Sequence, residues 1–258
     1  MSHHDKGKRP PCPSCGSSHI LKNGSIHNKK QKYLCKDCGR QFVENPTKRY
    51  VSKQEIECLE RGLLERISLR GLARMLKISI KWIQNYVNKL YRSISFQTSS
   101  LAACLEGLIL ECDELWSFVC SKENPVYIWL ALDRKTRQIV GFHLGDRTRE
   151  DAQQLWESIP EKYRESAEVY TDCWKSYEKV VPAEKHHPSG KETGETSHIE
   201  RFNNTLRQRC SRLVRESLSF SKNFFNHESA ILDFINHYNE ELRLTFSWLH
   251  YMNNTTQK

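Results

Sequence analysis

The chain has 258 residues, 38% hydrophobic and 28% charged, which is enough for one substantial core with one or two small appended modules and excludes a disordered polymer. Its formal net charge of +9 suits a polyanionic partner, either nucleic acid or an anionic membrane surface. No run of about 18 apolar residues occurs, and the start Met1 to Lys6 lacks the apolar stretch of a signal peptide, so the expectation is a soluble, cytoplasmic protein.

In chain order, the first signal is a pair of Cys-x-x-Cys-Gly knuckles, Cys12-Pro13-Ser14-Cys15-Gly16 and Cys35-Lys36-Asp37-Cys38-Gly39, with nineteen residues between Cys15 and Cys35. Two thiolates two residues apart reach one ion, and the glycine lets the backbone turn beneath it. Cys12, Cys15, Cys35 and Cys38 therefore predict a closed tetrahedral Zn2+ site in a zinc ribbon, residues 1–49, with a hairpin carrying the second knuckle. A four-thiolate site has no open coordination position, so this zinc is read as structural. Lys22, Lys29, Lys30, Lys32, Lys36 and Arg40 make the module basic. The other cysteines, Cys58, Cys104, Cys112, Cys120, Cys173 and Cys210, read as small buried residues in a reducing compartment.

Residues 50–92 change to helical spacing. Ser52-Lys53-Gln54-Glu55 is a capping box ahead of Ile56, Leu59, Leu63 and Leu64. Ser68 caps a second helix over Leu69 to Leu76, and Ser79 caps a third that runs through Tyr91. This is a helix-turn-helix, and Lys81, Trp82, Gln84, Asn85 and Asn88 lie wholly or partly off the apolar face of the third helix, where they would reach base edges in double-stranded DNA. A bundle that only dimerises is the competing reading. Residues 93–107 form the linker, with room for a short helix across Leu101 to Leu105.

Residues 108–258 read as a mixed sheet with flanking helices. Strands are expected over Leu108 to Val119, Val126 to Leu132 and Gln138 to Leu144 as a meander. Thr148 then caps a helix with Ala152, Leu155 and Trp156 inward, ending near Pro160. A fourth strand is expected over Glu168 to Asp172 and a possible fifth over Tyr177 to Val181. Pro182 to Thr196 reads as an exposed loop in which His186 and His187 are solvated, Ser197 opens a helix to Cys210, and a last helix spans Glu228 to Leu242.

The chemistry lies in the acids. Asp113 stands in the apolar first strand, where a carboxylate is costly unless it is paired or holds a cation. Asp172 ends the fourth strand, and Glu200 shares one helical face with Asn203, Asn204 and Arg207. Three carboxylates on different elements can converge and hold two Mg2+ or Mn2+ ions, with Asp113 the natural bridging ligand. Glu111, on the same strand face as Asp113, is a rival ligand.

Asp-Glu-Leu-Trp-Ser-Phe at 113–118, Thr-Asp-Cys-Trp-Lys-Ser-Tyr at 171–177 and His-Ile-Glu-Arg-Phe-Asn-Asn-Thr-Leu-Arg-Gln-Arg at 198–209 resemble the three blocks of a bacterial insertion-sequence DDE transposase. The order of modules is similar to the family of insertion sequence one. The resemblance implies a multidomain α+β and α/β protein in which zinc ribbon and helix-turn-helix precede a ribonuclease H-like domain. It also implies Mg-dependent cleavage and strand transfer at terminal inverted repeats by Asp113, Asp172 and Glu200. Arg207, and beside it Asn203, would assist at a DNA phosphate. The partners implied are the element's ends and target DNA, bound by a homodimer or higher multimer at the prokaryotic nucleoid. The competing readings are a non-catalytic DNA-binding regulator and a metal-dependent nuclease without strand transfer.

Overall fold

The computed structural model describes residues 9–27, 29–44, 50–96, 105–213 and 220–255. It divides into two compact units, Met1–Leu59 and Glu60–Lys258.

In the first unit β1 (Ile20–Ser25), β2 (Gln31–Cys35) and β3 (Gln41–Val43) form an antiparallel sheet in that order. Cys12, Ile20, Tyr33 and Cys35 are its small core, with Phe42 packed alongside. The two knuckles close in the same way: Gly16 N–H donates to the Cys12 carbonyl at 2.9 Å and Gly39 N–H to the Cys35 carbonyl at 3.0 Å. Both glycines have φ near +70°, a backbone conformation that a Cβ would strain.

The unit boundary falls inside α1 (Lys53–Leu63), whose start is the expected capping box: Glu55 N–H donates to Ser52 Oγ and Ser52 N–H to Glu55 Oε2. Ser68 and Ser79 likewise cap α2 (Leu69–Leu76) and α3 (Ile80–Tyr91) by accepting from Gly71 and Trp82 N–H. The turn between α2 and α3 passes through Lys77 at φ 54°, so α3 leaves at a sharp angle. Ile83, Val87 and Tyr91 are the buried stripe of α3. The expected short helix across Leu101 to Leu105 lies almost wholly outside the described residues, as does Cys104.

Five strands make the large sheet: β4 (Ile109–Phe118), β5 (Pro125–Asp133), β6 (Ile139–Gly145), β7 (Glu168–Thr171) and β8 (His186–Pro188), in the order β6-β5-β4-β7-β8. The first three form the antiparallel meander, whereas β7 and β8 run parallel to β4. With helices on both faces this is a ribonuclease H-like fold.

Alternation along β4 explains the two layers. Leu115 faces Ile199, Phe202 and Leu206 of α6 (Ser197–Arg209) and Ile231, Phe234 and Ile235 of α7 (Phe224–Thr255). Leu110 and Cys112 face Ala152, Leu155 and Trp156 of α4 (Arg149–Ser158) and Tyr163 of α5 (Glu161–Ser166). Thr148 caps α4 as expected, accepting from Asp151 N–H.

The helix capped by Thr148 ends at Ser158, just before Pro160 as expected, and Pro160 precedes a further short helix, α5. Three expectations are corrected. The fifth strand is β8, not Tyr177 to Val181, so His186 and His187 are not loop residues: His186 lies 2.9 Å from Thr171 Oγ1, and His187 meets Glu168 at 2.5 Å and stacks on Tyr170. Helix α7 is longer than expected at both ends. Cys112 and Cys210 are buried, but Cys58, Cys120 and Cys173 are exposed.

Two side chains of α7 fix the sheet from below. Asn239 both accepts from and donates to the Ile139 backbone, at 2.9 and 2.8 Å, where β6 begins. His227 lies 3.0 Å from Ser117 Oγ on β4 and 3.0 Å from Ser221 Oγ. Burial, followed by the Arg212 charge, pushes the His227 imidazole down to about 4, so it is neutral when folded. An unfolded histidine protonates near pH ~6.5, so acid favours the unfolded chain between about pH 6.5 and 4. We expect roughly 3 kcal/mol of stability to be lost across that window in the parent and retained in His227→Gln, read by denaturant titration at each pH.

Candidate active site

Strand β4 supplies three neighbouring acids with three different fates. Glu111 is fully buried. Its Oε2 accepts from His198 N–H at 2.9 Å and Ile199 N–H at 3.0 Å, the orphan donors of the first turn of α6. Its Oε1 accepts from Arg134 Nε at 2.7 Å and lies 2.6 Å from His198 Nδ1. Four partners saturate this carboxylate, and its charge complements the positive end of the α6 dipole. Glu111 therefore anchors α6 and does not compete as a metal ligand.

Asp113 faces the same side, two residues on. The parallel register pairs Cys112 with Thr171, so Asp113 and Asp172 are the next residues on adjacent strands, side by side at the end of the β4 to β7 ladder. Asp113 Oδ2 accepts from Asn203 Nδ2 at 2.7 Å, which turns one face of α6 toward it. Asp172 Oδ1 accepts from Trp174 N–H at 3.0 Å, which orients the carboxylate at the strand end.

Glu114 projects to the opposite face, where Arg147 Nε donates to it at 2.7 Å and Tyr177 OH at 3.4 Å. Oxygen atoms of Asp113, Glu114 and Asp172 all lie within 4.8 Å of one another. Glu200 is exposed, accepts from Thr196 Oγ1 at 3.3 Å and stands outside that group, although its charge still reaches Asp113. Burial, then Glu114, with Asp172 and Glu200 adding, pushes the Asp113 carboxyl up to about 7. Burial and Asp172 also raise Glu114.

Such a cluster fits a hard divalent cation. Ligands ~2.1 Å from a six-coordinate Mg2+ are roughly 3 to 4 Å apart, so small side-chain rotations would close the group. The buried Asn203 Oδ1 has no hydrogen-bond partner and adds a further oxygen beside Asp113. Arg207, half-buried one turn further along α6, donates to the Trp116 carbonyl at 3.4 Å.

The second metal candidate is the four-cysteine cluster, whose sulfurs lie within 4.8 Å of one another. Cys12 to Cys38 and Cys15 to Cys35 are both 3.6 Å. A tetrahedron with ~2.3 Å metal-sulfur bonds has edges of about 3.8 Å, so the thiols already stand where a zinc would need them. On α3, Lys81, Gln84, Asn85 and Asn88 are exposed, whereas Trp82 is half-buried and stacked on Tyr86 with centroids 5.3 Å apart.

Residue spacing alone did not reveal Arg147, Trp174 and Tyr177 as neighbours of the acids. Trp174 had a usable signal, an aromatic residue two positions after Asp172, but Arg147 had none. Glu114 was visible only as an adjacent acid, which strand alternation places on the other face.

The IS1 transposase family profile matches residues 107–240, a span that holds Asp113, Glu114, Asp172 and Glu200. The chain belongs to the IS1 transposase family. The transposase is similar to the insertion element iso-IS1n protein InsB of Shigella dysenteriae, 37% identical over 131 residues, covering 50% of this chain and 95% of that protein. The insertion element IS1 protein InsB of Shigella flexneri is 35% identical over 126 residues, 49% of this chain and 92% of the relative. The IS1 4 protein InsB of Escherichia coli (strain K12) is 33% identical over 126 residues, 49% and 72%. Among solved structures, a chain of the simian T-cell lymphotropic virus intasome in complex with PP2A regulatory subunit B56 gamma aligns with a TM-score of 0.36 at 10% identity, covering 61% of the transposase and 62% of that chain. A similarity at that level carries no functional weight. The first 106 residues, with the ribbon and the three short helices, lie outside the family profile. Among the described residues no helix of the transposase is long and apolar enough to cross a membrane.

Proposed function

We propose that this transposase binds the terminal inverted repeats of its insertion sequence and catalyses Mg2+-dependent strand cleavage and strand transfer. The observation that carries this reading is the placement of Asp113 and Asp172 side by side at the end of two parallel strands, under the α6 face that bears Glu200 and Asn203. Asp113 would be shared between two cations, with Asp172 and Glu200 each completing one. Glu200 reaches the group by a rotation of its exposed side chain. When bound, two divalent cations stabilise the attacking and leaving oxygens of an in-line phosphoryl displacement. Asn203 holds the Asp113 carboxylate, and Arg207, beside Trp116, is placed to meet a DNA phosphate.

Cys12, Cys15, Cys35 and Cys38 would hold a structural Zn2+. In functional terms residues 1–49 act as a zinc ribbon, 50–92 as a helix-turn-helix, 93–107 as linker and 108–258 as the catalytic domain. Lys81, Gln84, Asn85 and Asn88 would contact double-stranded DNA, with Trp82 supporting them. Two ends must be held together, so the working form is a homodimer or higher multimer in a synaptic complex, acting at the nucleoid in the cytoplasm.

The test uses pre-cleaved element ends with free 3′-hydroxyls, a target plasmid and Mg2+. The expected result is end-to-target joining that EDTA abolishes. Nicking without joining would make the protein a nuclease, and binding without either reaction would make it a regulator.

A further inference from the structure

Beyond Glu114 the α4-facing side of the sheet changes character. The core under α4 ends near Cys112, Trp129 and Ala131. Past it the same face carries a row of half-buried to exposed aromatic rings that starts at the acids and runs to the far end of β4.

Trp174, 38% exposed, lies two residues after Asp172. The Arg147 guanidinium sits 3.8 Å from its ring centroid and 5.7 Å from that of Tyr127. Tyr127 is the cross-strand partner of Trp116. Trp116 to Phe118 and Phe118 to Phe220 are each 5.6 Å between centroids. Arg147 is itself fixed by its pair with Glu114, so it serves as a planar member of the row. Exposed cations flank it in sequence at both ends, Lys175 after Trp174, and Lys122 and Lys222 near Phe118 and Phe220.

We propose that this row, Trp174, Arg147, Tyr127, Trp116, Phe118 and Phe220, is a binding track for unpaired nucleotides of a DNA end. Partly exposed rings, interleaved with a guanidinium and bordered by lysines, are what stacks bases without reading their sequence. Arginine between aromatic rings also occurs in protein-docking faces, so it is the acid cluster at one end of the row that favours a nucleic-acid strand. The identity of the occupant follows from that continuity: the track begins where Asp113 and Asp172 would cut a strand, so the nucleotides beside the cut are the ones that reach it. This assignment rests on the transposase reading above and adds to it that the terminal base pairs are opened, with the freed strand laid on Trp174.

The experiment measures binding of the zinc-loaded full-length protein with no Mg2+ or Mn2+ added, where no cleavage occurs, by fluorescence anisotropy. The probes are a blunt duplex of the element's end and the same duplex with three terminal pairs replaced by unpaired nucleotides. The parent is expected to prefer the frayed end. Trp174→Ala is expected to lose roughly tenfold on the frayed end and nothing on the blunt one, with Trp174→Phe restoring most of the loss. Phe118→Ala, further from the acids, provides a second variant with the same expected signature. Equal affinity of the parent for the two ends, or unchanged frayed-end binding by both alanine variants, overturns the track and leaves the transposase reading standing. Failure of the parent to bind either duplex overturns both.

Discussion

Asp113→Asn is expected to lower end cleavage and end-to-target joining by about 10³-fold or more, the worth of several kcal/mol of transition-state charge stabilisation. The fold should survive, because an amide fills the same volume and its single oxygen can still accept from either Asn203 or the Glu114 N–H, losing one hydrogen bond. The same substitution should raise thermal stability in EDTA. The parent's Asp113 holds its proton up to about pH 7 when folded because it is buried beside Glu114, Asp172 and Glu200, whereas an unfolded aspartate ionises near ~3.9. The metal-free parent therefore loses stability as pH rises from about 4 to about 7, to a total of a few kcal/mol, and the asparagine variant escapes that loss. Melting curves in EDTA should separate at pH 8 and converge toward pH 4. Joining within tenfold of the parent would remove Asp113 from the site, and coincident melting curves at pH 8 would show that the acids do not repel one another.

Glu111→Ala carries the largest expected effect on folding. It would leave Arg134 with only the partly exposed Glu195 as a carboxylate partner and strip the first turn of α6 of the acceptor for His198 and Ile199 N–H. Removing one member of a buried ion pair costs about 3–5 kcal/mol. For a unit of this size that corresponds to a fall in melting temperature of roughly 10 °C. Glu111→Gln keeps one acceptor oxygen but points an N–H₂ at existing donors, and should fall between the two. Because α6 carries Glu200 and Asn203, activity measured well below the melting temperature should drop in Glu111→Gln, together with a weaker cation affinity. A melting temperature within 2 °C of the parent in Glu111→Ala would contradict the anchoring role.

These two acids mark how far the sequence can be read. Features set by neighbours in the chain were legible: the thiol spacing of the ribbon, the serine and threonine caps, and the apolar runs of β4 and β5. The side-by-side placement of Asp113 and Asp172 followed once β4 and β7 were read as strands of one sheet. Glu111 was not legible, because its four partners come from residues 23 to 88 positions away, and from β4 alone it looks as much like a ligand as Asp113 does. Glu114 defeats alternation for a related reason: Asp172 lies just beyond the last paired residue of β7, where a side chain is no longer confined to one face. Strand β8 was missed because three residues are too few for a period to show, and parallel pairing with β7 is what makes them a strand. Arg147 joins the site through the position of α4, which no local pattern encodes.

The long reach of α7 back to β4 and β6 also sets an order of events during synthesis. Ser117 waits 110 residues for His227, and Ile139 waits 100 for Asn239. The ribbon closes over some thirty residues at the beginning of the chain, with all four thiols between Cys12 and Cys38. On a ribosome the first module is thus complete while the acids still lie on an unfinished sheet, because loop closures of that span come last. A chain cut short by an early stop before β4 would keep its ribbon with no sheet to carry the acids, so the two units can be lost separately.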